Sequence, residues 1–240
     1  MAATGKPTII LVHGAFADAS SYAPVTTRLL KRGFKVLAPG IPNRSLLGDA
    51  EYVASVVRNA GGSVVLVGHS YGGAVITLAG AGENVRALVY ISGYALEEGE
   101  SLAELQGGFP DSKLAAALVY TPSPLAGFDE QNPDVTVEVD KFPEVVAADV
   151  DPELAAVLAA SQRPLAGLAF GEKATAAAWK TKPAWGIVSS SDTTINPEVE
   201  RFGYRRAGVE VTEIDASHLV MLSHPDEVVD VILRAVEATE

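Results

Sequence analysis

The chain of 240 residues contains no cysteine. Disulfide staples, thiolate nucleophiles and cysteine-held metals are excluded, so packing alone must hold the fold. Basic residues are few: 18 Lys and Arg against 30 Asp and Glu leave a formal net charge of −12. Nucleic acid and anionic membrane surfaces need basic patches, so neither is expected as a partner. No apolar run approaches the roughly 18 residues of a membrane span, and Met1–Lys6 carries no signal-like segment. A cytoplasmic protein is the expectation. Histidine is scarce, with four copies, at 13, 69, 218 and 224. They are not spaced as a metal site and no His-Glu-x-x-His occurs, so no metal and no cofactor is expected.

What the chain has in quantity is apolar residue, 48% of the total, which excludes disorder. One large α/β domain fits this length. Within it, Gly68-His69-Ser70-Tyr71-Gly72-Gly73 follows the apolar run Ser63–Val67 and precedes Ala74–Ala79. Strand, tight turn and helix with a serine at the apex is the nucleophile-elbow pattern, Gly-x-Ser-x-Gly. A serine hydroxyl reacts only where a base reaches it and the backbone holds it exposed. Glycines at 68 and 72 remove the Cβ atoms that would clash where strand and helix meet. The helix start offers free N–H groups, so the Tyr71 N–H is a candidate oxyanion donor. A phosphate loop is a poor alternative: Gly-x-x-x-x-Gly-Lys-Ser/Thr is absent, and the glycine spacing does not fit a dinucleotide fingerprint.

Residues 7–92 alternate strand and helix patterns as in a doubly wound parallel sheet. Strands are expected at Pro7–Val12, Phe34–Ala38, Ser63–Val67 and Val85–Ser92. Helices are expected at Tyr22–Arg32 and Asp49–Asn59. From 95 to 178 the pattern breaks into an Ala-rich stretch, too long for an ordinary βα connection. Helices are expected there at Ser101–Gln106, Asp111–Val119, Phe142–Val150, Pro152–Ser161 and Glu172–Lys180, with a short strand at Thr136–Val139. The division is thus a core of 1–94 and 179–240 with a mainly helical cap inserted at 95–178. Strands resume at Ala184–Ser189 and Gly208–Ile214, and the last helix spans Pro225–Ala238.

The base for Ser70 must lie on a loop at the C-terminal ends of the strands. His218 does, in Asp215-Ala216-Ser217-His218, and it comes late in the chain, as the order Ser, acid, His requires. His224 reads as a helix-start residue, His69 as a packing residue and His13 as a structural group ending the first strand. The acid must orient the imidazole. Asp192 follows strand Ala184–Ser189 and is favoured on chain order. Asp215 is its rival and reads better as a turn residue, and Asp226 as a first-turn helix residue. The second oxyanion donor is expected from Gly14-Ala15-Phe16, at Ala15 N–H, with Phe16 as its neighbouring substitute.

With these parts the chain resembles the α/β-hydrolase superfamily over nearly its whole length. Val12-His13-Gly14-Ala15-Phe16, the elbow hexapeptide, Ser191-Asp192 and Ser217-His218 carry the match. It is similar to the serine-esterase branch that contains small bacterial hydrolases, plant salicylate-ester esterases and hydroxynitrile lyases. The resemblance implies an eight-stranded, mostly parallel sheet with an antiparallel second strand, flanked by helices and covered by the cap. Hydroxynitrile lyases of this branch place threonine where this chain has Gly14 and lysine where it has Leu219. Both departures count against cyanohydrin cleavage, and Ser70 excludes the carboxylate-nucleophile dehalogenases.

The expected activity is hydrolysis of a small to medium hydrophobic carboxylic ester by Ser70, His218 and Asp192. Two alternatives stand beside it: a cofactor-free haloperoxidase or perhydrolase using the same triad, and a non-catalytic small-molecule receptor on the same fold. Apolar cap residues such as Leu96, Phe109, Tyr120, Leu125, Phe128, Leu154, Leu168 and Trp179 could face pocket or core, and helical spacing favours core. Oligomeric state is not legible.

Overall fold

The computed structural model describes residues 5–123 and 132–239. In chain order the first elements are β1 (Thr8–Val12), α1 (Ala23–Lys31), β2 (Val36–Leu37), α2 (Leu46–Ala60), β3 (Val64–His69), α3 (Tyr71–Ala79) and β4 (Val85–Ile91). An inserted segment follows, with α4 (Leu102–Gly107), β5 (Leu118–Thr121), β6 (Asp134–Val137), α5 (Phe142–Val146), α6 (Pro152–Ala160), β7 (Leu165–Ala166) and α7 (Leu168–Gly171). The main sheet resumes with β8 (Ala184–Ser189), α8 (Pro197–Ala207), β9 (Glu210–Ile214), α9 (Val220–Ser223) and α10 (Pro225–Glu237).

The main sheet runs β2-β1-β3-β4-β8-β9 and every pairing in it is parallel. β1 and β3 are buried along their whole length because helices cover both faces. That is why their sequences read as unbroken β-branched runs rather than alternation. α2 buries Leu46, Asp49, Ala50, Val53, Val57 and Ala60, a spacing of three and four that lays one stripe on the sheet. Its start is fixed by the Ser45 side chain accepting from Gly48 N. α8 begins with Asn196 as cap and Pro197 in its first turn, and ends at Gly208 with φ 65°.

Two expectations are corrected. The α/β-hydrolase architecture stands, but the sheet has six strands among the described residues, not eight, and no antiparallel member. Thr8–Val12 pairs with β2 on one side and β3 on the other, both parallel, so no antiparallel strand lies beside it. The inserted segment is also less helical than its alanine content suggests. β5, β6 and β7 form a separate antiparallel sheet, with Leu118–Thr121 paired to Asp134–Val137. The expected helix 111–119 is a short 3-10 turn, Lys113–Ala117, that runs into β5. Residues 172–180 hold only the turn Ala178–Lys180. Val135 and Val137 are buried and their neighbours are not, the period-two pattern of a half-covered sheet.

Of the apolar residues in that segment, Leu96, Leu102 and Leu105 are buried, and Phe109 and Trp179 pack partly against the core. Tyr120, Leu154 and Leu168 are exposed. Leu125 and Phe128 lie outside the described residues.

The chain reverses its direction of sheet building between β1 and β3, and the C-terminal ends of those strands form the crevice where α/β folds place their sites. A buried polar seam closes the sheet beside it. The Tyr204 hydroxyl accepts from Gly93 N at 3.0 Å, and Ser92 Oγ lies 2.6 Å from Ser189 Oγ. Tyr204→Phe removes the acceptor of a buried N–H, which costs about 1–3 kcal/mol. Thermal unfolding of this variant is expected a few degrees lower, and an unchanged Tm would contradict the role given to the hydroxyl.

Candidate active site

Ser70 stands between β3 and α3 with φ 53° and ψ −123°, a left-handed backbone that a side-chain-bearing residue adopts only under constraint. Its N–H donates to Ile91 O at 3.0 Å. Its carbonyl accepts from Gly73 N at 2.9 Å and Tyr94 N at 3.3 Å. Three neighbouring chains close in where glycines leave room. A Cβ on Gly68 would lie 2.3 Å from the Gly72 carbonyl oxygen, and one on Gly72 would lie 2.4 Å from that of Val12. A Cβ on Gly14 would lie 2.8 Å from Ser70 Cβ and 2.9 Å from His69 Nδ1. Gly14 is therefore required by contact with the elbow, and the threonine of the lyases has no space here.

The β9–α9 loop brings His218 to the elbow. Its Nδ1 lies 2.6 Å from Asp192 Oδ2, with both side chains buried. Asp192 Oδ1 accepts from Thr194 N at 2.6 Å and Ile195 N at 3.1 Å. One carboxylate thus makes the turn its sequence suggests and orients the imidazole with its other oxygen. On the far side, His69 Nε2 lies 2.9 Å from His218 O, and the two rings are 4.6 Å apart. Because a carbonyl only accepts, Nε2 of His69 carries the proton. Burial and the nearby His218 hold His69 well below the usual histidine range, so it stays neutral.

The other candidates take structural parts. His13 Nε2 accepts from Ile41 N at 3.0 Å and its Nδ1 lies 2.8 Å from Gly14 O, which ties the loop after β1 to the segment after β2. Burial lowers its pKa. Asp215 accepts from Ser191 Oγ at 2.6 Å, and Asp226 pairs with Arg28. His224 starts α10 and lies 3.8 Å from Asp149. Phe16, with φ 61°, turns its N–H to the Arg163 carbonyl at 3.1 Å and so has no proton left for an oxyanion. Tyr71 opens α3, where an N–H has no intrahelical acceptor, and its hydroxyl donates to buried Asp49 at 2.7 Å. Leu219, directly after the histidine, is buried.

Two contributors were not legible. His69 supports the backbone of His218 rather than only packing. Asp149, between α5 and α6, accepts from Ser217 N at 3.0 Å and also from the Ser217 hydroxyl. Nothing in sequence spacing places an acid of the inserted segment beside residue 217. Among the described residues no cluster of His, Asp or Glu is arranged to hold a metal ion, and no helix is long and apolar enough to cross a membrane. Gly68→Ala is expected to lower stability by about 3 kcal/mol, since backbone must move. Gly107→Ala, where the new methyl meets open space, is expected to be neutral or to stabilise by up to about 1 kcal/mol. Denaturant unfolding of the pair checks this, and equal effects would contradict it.

Known proteins share this arrangement of chain. The Alpha/beta hydrolase family profile matches residues 9–231. An alpha/beta hydrolase of Aspergillus novofumigatus, nvfD, is 28% identical over 256 aligned residues, covering 96% of each chain. The pyrethroid hydrolase of Sphingobium faniae JZ-2 superposes with a TM-score of 0.78 at 21% identity, over 97% of this chain and 98% of that one. A methylesterase from Arabidopsis superposes with a TM-score of 0.80 at 18% identity, over 97% and 99%. The chain belongs to the alpha/beta hydrolase family, and hydrolysis is the chemistry that membership supports.

Proposed function

We propose that the protein is a serine esterase acting on small to medium hydrophobic carboxylic esters. The observation that carries this reading is the 2.6 Å contact of buried His218 with Asp192, held against the residue next to Ser70. In this reading Ser70 Oγ attacks the ester carbonyl while His218 takes its proton and Asp192 steadies the imidazolium. The Tyr71 and Ala15 N–H groups receive the oxyanion; Ala15 is the remaining choice in its loop, since Phe16 N–H is engaged with Arg163. His218 then protonates the leaving alcohol, and water activated by the same imidazole hydrolyses the acyl-enzyme.

Ester rather than another acyl substrate is supported by likeness: a pyrethroid hydrolase and a methylesterase share the fold. Short p-nitrophenyl esters are the first test. Ser70→Ala is expected to reduce kcat by about 10³-fold or more, and Asp192→Asn by about 10³–10⁴-fold with the fold intact. Undiminished turnover by Ser70→Ala would refute the assignment.

A further inference from the structure

Glu200 sits in the first turn of α8, where an acidic residue normally faces solvent beside the helix dipole. Here it is 1% exposed. Among the described residues no cation pairs with it: Arg201, next in sequence, is engaged with Glu198 at 2.7 Å and Glu213 at 2.8 Å, and Arg206 with Glu100 at 2.7 Å. Neither Glu200 oxygen has a partner at full hydrogen-bond geometry, and the carboxyl lies within interaction range of the Ser189 backbone and of Asp192. Tyr94, from the loop after β4, Tyr204, one turn along α8, and the Ser189 backbone at the end of β8 complete its surroundings.

Two ionised carboxylates are acceptors only, so as anions they would face one another unpaired in a dry site. A single proton converts that contact into a charge-assisted O–H···O⁻ bond. Its location follows from the partners. Asp192 already accepts two backbone N–H groups with one oxygen and faces the His218 imidazole with the other. Glu200 has only the Ser189 backbone beside it. We propose that Glu200 is a positioning residue that keeps its proton at neutral pH and donates it to Asp192, fixing the carboxylate that orients His218. Burial and the Asp192 charge push the Glu200 carboxyl well above the usual carboxylate range, in the same direction.

Two consequences follow for pH. An acid with a raised folded-state pKa contributes stability that is complete below its unfolded pKa and is lost as pH rises through the folded one. Glu200→Gln, which cannot ionise, is therefore expected to gain stability over the wild type as pH rises above about 4.5, the ordinary carboxyl value. Ionisation of Glu200 at alkaline pH also sets a second negative charge beside the His218–Asp192 pair. The wild type is expected to lose kcat/KM there, and Glu200→Gln to keep it.

The place of the proton is independent of the esterase reading, whereas its part in positioning the triad rests on it. Glutamate Cδ signals of the 13C-labelled full chain, followed by NMR from about pH 4 to 9, test the first. One signal, linked through the backbone to Val199 and Arg201 and absent from Glu200→Gln, is expected in the protonated position at pH 7. A Glu200 signal already ionised at pH 7 overturns the inference, even in an active esterase. For positioning, Glu200→Leu is expected to lose roughly tenfold in kcat, with Glu200→Gln recovering most of it, because the amide can still donate. Equal kcat for Leu and Gln overturns the positioning role. A protonated Glu200 in a chain that cleaves no ester upholds the proton and instead overturns the esterase reading.

Discussion

The close approach of backbone to backbone around Ser70 is the constraint on which the rest of the site depends. A left-handed serine is strained by on the order of 1–3 kcal/mol and persists only where its surroundings fix it. Here the ends of β1, β3 and β4 supply that fixing. Gly68 admits the Gly72 carbonyl, Gly72 admits the end of β1, and Gly93 lies against both the N–H and the carbonyl of Ser70. Each is a contact a methyl group would forbid. Parallel strands buried on both faces bring their C-terminal ends together at one edge, so sheet order delivers these contacts without any dedicated device.

Around that turn, single groups satisfy two demands at once. Asp192 closes its own loop with one oxygen and holds His218 with the other. His69 fills the space behind the elbow and donates to the His218 carbonyl. The inserted segment participates as well: Val145 O accepts from the Thr193 and Thr194 hydroxyls, and Asp149 holds Ser217. The acid loop and the base loop are thus both braced from the insertion. Changes there would shift the placement of Asp192 and His218.

The elbow turn, the meeting of His218 with Asp192 and the strand-helix alternation to residue 92 were legible in the sequence, through apolar runs, glycine at close approach and chain order. What it concealed is long-range. Nothing local marks Glu200, an acid in the first turn of α8 that is buried in the folded chain. Phe16 could not be separated from Ala15 until Arg163, far along the chain, was seen to accept its N–H. The alanine-rich insertion read as helix by propensity, whereas β5, β6 and β7 are set by partners distant in sequence, the usual way tertiary pairing overrides local preference. The strand count failed for a different reason, being taken from resemblance rather than from the residues.

The central claim is that one oxygen, Ser70 Oγ, reacts because the fold exposes it to His218 in a water-poor crevice. The most direct measurement is intact-protein mass spectrometry after treatment with a fluorophosphonate, followed by peptide mapping. A single adduct on the peptide containing Ser70 is predicted, with labelling lost in His218→Ala. An adduct on another residue, or none under conditions that label a known serine esterase, would contradict the account.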